Sequence, residues 1–218
     1  MYGGANDYFD IDLWEKIVSS GRQKTCAKGE RLLSKGKACP GLICLKDGKV
    51  KIFSETADSN EKIFGLLVAP AMFGETEAFD QGPCMISAVA LTKIEIAVVN
   101  LAALRSLMAE NLRIAHFLIY SIGAKLRWTT YQAADMTCLR TRNRLASLLL
   151  GHGKYAVFTY NNDFDVLSMT HEEIASFIGC TRPKVTVLLK EFAREGLIET
   201  KRNQIKILDR EALKVVVY

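Results

Sequence analysis

The spacing of apolar positions changes character along the chain. Ile11, Trp14, Ile17 and Val18 share one face of a predicted short helix over Asp10 to Ser20, closed by Gly21. From Arg22 to Asn100, short apolar runs alternate with turn signals. These are Lys28-Gly29-Glu30, Lys35-Gly36-Lys37, Lys46-Asp47-Gly48-Lys49, Asp58-Ser59-Asn60-Glu61 and Gln81-Gly82-Pro83. The runs Leu42–Leu45, Val50–Ser54, Ile63–Val68, Ile86–Leu91 and Glu95–Val99 predict strands. Short strands and an Asp-Gly turn predict an antiparallel barrel or sandwich, and a jelly roll of about eight strands is the small solution.

The pattern turns helical at Leu101. Asn100 caps a predicted helix through Leu101, Leu104 and Leu107-Met108, and a longer helix runs from Asn111 to about Met136. Within it Ala115, Ile119, Ile122, Leu126, Thr129, Ala133 and Met136 are spaced 4, 3, 4, 3, 4, 3. That heptad seam suits a two-helix coiled coil, and burial within one chain is the other reading. Leu112, Phe117 and Leu118 add a second apolar side for the barrel. A hinge is predicted over Met136 to Leu139. Next comes a helix from Arg140 to Leu150, with Leu145, Leu148 and Leu149 buried and Arg140, Arg142 and Arg144 at its start. Gly151-His152-Gly153 is expected to break it. Tyr155–Thr159 and Phe164–Leu167 read as strands around an Asn161-Asn162-Asp163 turn.

The stretch Ser168 to Ile198 organises the rest. Thr170 with Glu173 makes a capping box, Ile174, Phe177 and Ile178 follow at helical spacing, and Gly179 ends the helix. Thr181 is the predicted cap of a second helix. Pro183 lies in its first turn, Val185, Leu188, Leu189 and Phe192 are its buried stripe, and Gly196 stops it. Two short helices joined by such a turn make a helix-turn-helix. Leu197–Thr200 and Gln204–Leu208 then form a hairpin with Lys201-Arg202-Asn203 at its tip, which completes a winged helix. The outward face of the second helix carries Arg182, Pro183, Thr186, Val187 and Lys190. Cations at both ends of that face suit a recognition helix in a major groove. A structural helical hairpin with a solvated face is the plainer reading.

Charge sharpens the division. Residues 1–137 hold 16 Lys+Arg and 15 Asp+Glu, a net of +1, while residues 138–218 hold 13 and 9, a net of +4. The excess on the C-terminal part suits a polyanion partner. The six cysteines, Cys26, Cys39, Cys44, Cys84, Cys138 and Cys180, include no CxxC pair, which fits reduced thiols rather than a disulfide framework. No uncharged apolar run reaches a membrane span, and Met1 to Asp12 is polar and acidic, so a cytoplasmic protein is expected. No paired carboxylates, Gly-rich phosphate loop or metal-spaced histidines point to an enzyme. Residues 22–100 contain no histidine, as a cupin metal site would need.

The order of parts resembles the CRP/FNR superfamily of bacterial transcription regulators over about Ile17 to Leu208. Thr170-His-Glu-Glu-Ile174 and Ile178-Gly-Cys-Thr-Arg-Pro-Lys-Val185 are similar to the helix-turn-helix of the family's cyclic AMP receptor protein. Lys28-Gly-Glu30, Asp47-Gly-Lys-Val50 and Phe73-Gly-Glu75 match the family's sensor glycines, and Asn143-Arg-Leu-Ala146 its first helix after the hinge. The resemblance implies an α+β chain in three parts. Residues 1–110 would be an effector-sensing, cyclic nucleotide-binding-like antiparallel β jelly roll. Residues 111–137 would be the dimerisation helix and hinge, and residues 138–218 a winged helix-turn-helix that binds DNA. It further implies a homodimer on a palindromic operator, RNA polymerase as a partner, and a small-molecule effector.

On this resemblance the DNA contacts fall on Thr170, Thr181, Arg182, Pro183, Lys184, Thr186, Val187, Lys190, Lys201 and Arg202. Arg182 is the candidate for bidentate reading of a guanine. Pro183 stands where the receptor has an acidic residue that reads cytosine, and Val187 where it has an arginine, so the operator should differ there. Thr170, Thr181, Lys184, Lys190, Lys201 and Arg202 are assigned to phosphates. The effector pocket falls on Phe73, Gly74, Glu75, Thr76, Cys84, Met85, Ser87, Thr129 and Thr130. Cyclic-nucleotide receptors carry an Arg-Ser pair for the cyclic phosphate. The corresponding stretch here, Gly82-Pro-Cys-Met-Ile-Ser87, has no cation, so an effector other than cyclic AMP is expected. Glu75 either hydrogen-bonds a ligand or ties its loop to backbone amides. Redox sensing through the cysteines, or haem held by His116, is the alternative mode of control. A non-DNA-binding interaction module is the alternative class. No metal is assigned. Switching would pass from the barrel through the hinge at Thr137-Cys138-Leu139 to the reading heads.

Overall fold

The computed structural model describes residues 9–55, 61–155, 166–201 and 204–217. Helix α1 (Ile11–Ser19) buries Leu13, Trp14, Ile17 and Val18, and the Asp10 carboxylate caps it by accepting from the Leu13 N–H. Eight strands follow: β1 (Arg22–Cys26), β2 (Arg31–Leu33), β3 (Leu42–Asp47), β4 (Lys49–Glu55), β5 (Glu61–Val68), β6 (Ala71–Phe73), β7 (Ser87–Ala90) and β8 (Ile94–Val99). A short helix, α2 (Glu75–Asp80), lies between β6 and β7. The strands form two four-stranded antiparallel sheets in the orders β1-β8-β3-β6 and β2-β7-β4-β5. This is the predicted jelly roll. Strand β1 went unpredicted because it is an edge strand with only Cys26 buried, so it carries no apolar run. The predicted turn at Asp58-Ser59-Asn60 lies outside the described residues.

A bulge sets the sensor's relation to the rest of the chain. The β4–β5 register skips Phe64 between the pairs Ile52–Gly65 and Phe53–Ile63, which turns Ile63 to the face opposite Leu67, the face that Phe53 shares. Ile52 enters the barrel core with Leu45, Val50, Phe73 and Ile96. Phe53 and its register partner Ile63 join the core of the C-terminal part instead.

Helix α3 (Leu101–Glu110) is capped by Asn100, whose Oδ1 accepts from the Ala103 N–H at 2.9 Å. Asn111 caps α4 (Leu112–Cys138) in the same way. One side of α4 buries Ile114, Phe117, Leu118, Ser121, Ala124, Trp128 and Gln132. Another side stays open: Ile119 is 65% exposed and Leu126 67%. Thr129, Ala133 and Met136 are exposed as well, and Ala115 and Ile122 half-buried. The predicted seam is therefore not covered within one chain. The predicted hinge is shorter than expected, because α4 continues to Cys138 and only Leu139 and Arg140 separate it from α5 (Thr141–Tyr155).

Gly151-His152-Gly153 does not break α5, which runs on to Tyr155. Glycine costs a helix about 1 kcal/mol relative to alanine, which the Leu145, Leu148 and Leu149 burial offsets. Most of the predicted Tyr155–Thr159 and Phe164–Leu167 strands lies outside the described residues, and Val166–Leu167 forms β9. Helices α6 (His171–Ile178) and α7 (Arg182–Arg194) follow, then β10 (Ile198–Lys201), β11 (Gln204–Ile207) and a last helix, α8 (Arg210–Val217). Strands β10, β11 and β9 make the wing sheet. Helix α8 was not predicted. It packs on α5, buries Leu213, and its Arg210 donates to the Leu150 carbonyl.

In α6 both halves of the capping box are made: the Thr170 Oγ1 accepts from the Glu173 N–H, and the Glu173 carboxylate accepts from the Thr170 N–H. Thr170→Ala should lower the unfolding free energy of the full chain by about 1 kcal/mol in a urea titration, and Thr170→Ser should not.

Candidate nucleic-acid interface

Helices α6 and α7 meet through Ile174, Ala175, Phe177 and Ile178 on one side and Val185, Leu188, Leu189 and Phe192 on the other. Each buried side chain of this kind contributes about 1.5–3 kcal/mol, so the roll of α7 about its axis is firmly set. Gly179 has φ +66 and ends α6. A Cβ there would lie 2.7 Å from the Met136 Cε, so the turn sits directly against the end of α4.

That packing decides which side chains of α7 face out. Arg182, Pro183, Lys184, Val187 and Lys190 are exposed, and Val187 at 49% is an apolar group held in solvent by its neighbours' burial. Arg182 is the first residue of α7 and Pro183 the second, so the cations at this end sit on the positive pole of the helix dipole. Thr181 occupies the cap position, but its side chain makes no capping hydrogen bond, contrary to expectation, and it is exposed. Thr170 is exposed at the start of α6. Lys201 is exposed on the wing, 3.4 Å from Glu199, and Arg202 lies outside the described residues.

Thr186 differs from its neighbours. It is half-buried, and its hydroxyl donates to the Arg182 carbonyl at 3.2 Å. The His171 Nδ1 lies 2.9 Å from the same oxygen. Thr186 thus joins the two helices, and His171 is a participant the sequence pattern did not single out. Arg142 also turns inward. It pairs with Glu195 at 2.7 Å, lies over the Phe192 ring, and is raised by the Glu195 hydrogen bond.

The proposed effector residues divide. Phe73, Gly74, Glu75, Cys84 and Ser87 are buried, whereas Thr76, Met85, Thr129 and Thr130 are exposed. Thr129 and Thr130 hydroxyls donate back to the Lys125 and Leu126 carbonyls on α4. Glu75, 2% exposed, does not tie its loop to backbone amides. It accepts from the Ser121 hydroxyl at 2.9 Å and pairs with Lys125, both on α4. Lys125 also donates to the Met72 carbonyl. Glu77 accepts from the Met85 N–H, and the Ser87 hydroxyl accepts from the Lys35 N–H.

The thiols do not gather in one cluster, although Cys39 and Cys84 lie against each other. Cys26, Cys44 and Cys84 are buried, and burial pushes Cys44 up to about 12 and the half-buried Cys39 up to about 11. Among the described residues no group of three or more His, Cys, Asp or Glu side chains is placed to hold a metal ion. His116 is exposed on α4. Among them, too, no helix is long and apolar enough to cross a membrane.

Comparison with known proteins places this geometry. The cyclic nucleotide-binding domain family matches residues 23–111, and the Crp-like helix-turn-helix domain family matches residues 143–216. The chain is 30% identical over 190 residues to a CRP-like cAMP-activated global transcriptional regulator of Mycobacterium tuberculosis, spanning 85% of this chain and 84% of that protein. The chain belongs to the CRP/FNR superfamily. It is 26% identical to the cAMP-activated global transcriptional regulator Vfr of Pseudomonas aeruginosa, over 86% of this chain and 89% of that one. The fold of this CRP/FNR member is similar to that of FixK2 from Bradyrhizobium japonicum, at TM-score 0.75 and 15% identity over 90% of this chain and 96% of that one. It is also similar to the c-di-GMP responsive regulator CLP of Xanthomonas campestris, at TM-score 0.74 and 18% identity over 92% and 100%. The chain is thus a CRP-like transcription regulator with a cyclic nucleotide-binding-type sensor domain and a helix-turn-helix.

Three outcomes follow for this regulator. If Arg182 reads a base, as the sequence leads one to expect, Arg182→Ala should cost about 1–3 kcal/mol of operator binding and relax preference at one base pair, measured by competition among operator variants. Lys201→Ala should weaken all sequences alike and reduce the salt slope by about one. Lys125→Met leaves a buried carboxylate without its cation. It should lower stability by on the order of 2–3 kcal/mol in urea unfolding, and adding Glu75→Gln should recover most of the loss.

Proposed function

We propose that the chain acts as a homodimer that reads a palindromic operator by placing one α7 in each of two successive major grooves. The observation that carries this is the pair of open faces: an uncovered apolar seam on α4 and an outward cationic face on α7. Pairing two seams would bury Ile119 and Leu126 twice over, each worth about 1–2 kcal/mol beyond what it gains now. Arg182 is the base-reading residue in this scheme. Thr170, Thr181, Lys184, Lys190, Lys201 and Arg202 hold phosphates, Val187 meets a thymine methyl, and Thr186 steers Arg182 through its carbonyl.

The same reading assigns an effector other than cyclic AMP, although the relatives above are named as cAMP-activated. The Gly82–Ser87 stretch offers no cation for a cyclic phosphate, and the nearby Lys125 is already committed to Glu75. The Glu75 carboxylate faces α4 rather than an open pocket. RNA polymerase is the further partner of a regulator of this kind.

Selection of random duplex DNA by the purified full-length chain tests the proposal. The expected product is an inverted repeat with half-site centres about 10 base pairs apart. Ile119→Glu with Leu126→Glu should give a monomer by light scattering and lower operator affinity by about 100-fold or more, because the second half-site is lost. A double variant that stays dimeric, or a selection without an enriched sequence, would refute it.

A further inference from the structure

Helix α6 is held at its end by a side chain of the sensor. The last turn of a helix offers carbonyls that no intrahelical N–H reaches. Those of Ile178 and Gly179 accept from Arg144 on α5, within the reading head itself. That of Phe177 accepts from Lys62, which belongs to β5. The Lys62 ammonium also stands 5.4 Å from the centroid of the Phe177 ring. Residues 178–181 alone separate Phe177 from Arg182, the first residue of α7.

The sensor is shaped for this contact. The register skips Phe64, so that residue has no partner on β4. Its carbonyl accepts instead from the Trp128 indole N–H at 2.7 Å and the Gln132 amide at 2.9 Å, both on α4. Trp128 meets the Phe177 ring from that side, with centroids 5.7 Å apart. Phe53 and Ile63, 3% and 0% exposed, are buried among residues of the head and not among those of the barrel core. A head swung away from the sensor leaves both large apolar side chains in water, which is unfavourable. The docked head meanwhile blocks neither face that DNA reading needs. Arg182, Lys184, Val187 and Lys190 stay exposed on α7, and Ile119, Leu126 and Met136 stay exposed on α4.

We propose that Lys62 and Trp128 are positioning residues for DNA reading: they latch the end of α6 to the sensor and so set the direction in which α7 meets a duplex. Both act through the head and not on the DNA. Heads already held in place engage two half-sites with little further loss of orientational freedom, whereas loose heads lose that freedom on binding and bind more weakly. The effect on affinity rests on α7 as the reading helix of a dimer. The latch itself is a property of one chain.

Trp14 and Trp128 are the two tryptophans of the chain. The Trp14 indole N–H is buried without a partner among the described residues, so Trp14→Phe is a mild change that leaves Trp128 as the single fluorescent reporter. In that background Lys62→Met removes the ammonium and keeps an apolar stem on the Phe177 ring. Trp128 emission should move to longer wavelength and its quenching by acrylamide should rise, and Lys62→Arg should restore both. Operator affinity of Lys62→Met should fall about fivefold or more while binding to a scrambled duplex is unchanged, a split that general loss of folding does not produce. Adding operator to the chain with Lys62 in place should leave Trp128 emission where it was. Unchanged Trp128 quenching in Lys62→Met overturns the latch without any DNA. Equal operator affinity with and without Lys62 overturns the positioning role. So does a shift of Trp128 to longer wavelength on operator binding, because the head then leaves its dock to read. Failure to enrich any sequence counts against the dimeric reading alone, since the arm on the free chain is independent of it.

Discussion

Everything in this molecule answers to the conflicting demands on α4. A 27-residue helix with apolar groups around most of its circumference has more surface to cover than one domain can supply. Its first half packs Ile114, Phe117 and Leu118 against α1 and the barrel. Its second half offers Trp128 and Gln132 to the Phe64 carbonyl on β5, and Trp128 then meets Phe177 with ring centroids 5.7 Å apart. The seam through Ile119 and Leu126 is left over.

The reading head gains its precision from burial rather than from its cations. Val185, Leu188, Leu189 and Phe192 fix the roll of α7, and the charged residues point outward because nothing else is left for them. The turn before α7 is held from below. Arg144 takes the Ile178 and Gly179 carbonyls, Lys62 takes that of Phe177, and Gly179 takes the positive φ that the turn requires beside Met136. Cations at a helix C-terminus satisfy carbonyls that the helix itself cannot, and they favour the negative pole of its dipole. Here one of those cations belongs to the sensor, so the end of α6 is also a joint between domains.

The sensor cassette shows the same economy. Glu75, at the start of the short helix after β6, reaches α4 itself, through Ser121 and Lys125. A buried carboxylate held by a cation on α4 couples cassette and helix directly, and it is costly to leave half-made. The coupling that a ligand could provide is partly built from side chains.

Much was legible before any coordinates. The capping box at Thr170, the αL glycine at 179, the cap at Asn100 and the heptad spacing of α4 are local patterns, and local patterns read directly. The outward residues of α7 followed from the same helical period. What the chain alone left undecided depends on residues far apart meeting. Strand β1 is polar because it is an edge, α5 runs through its glycines because its leucines are buried, and α8 exists because α5 offers it a surface. The partners of Glu75, Thr186, Arg142 and Lys62 lie 46, 15, 53 and 115 residues away. Residue order therefore determined most of the elements, several of their caps and the face that meets DNA in the proposed reading. Only the tertiary structure decided which polar groups are spent inside and which stay at the surface, because satisfaction of a buried donor or acceptor is a property of the neighbours that folding brings to it.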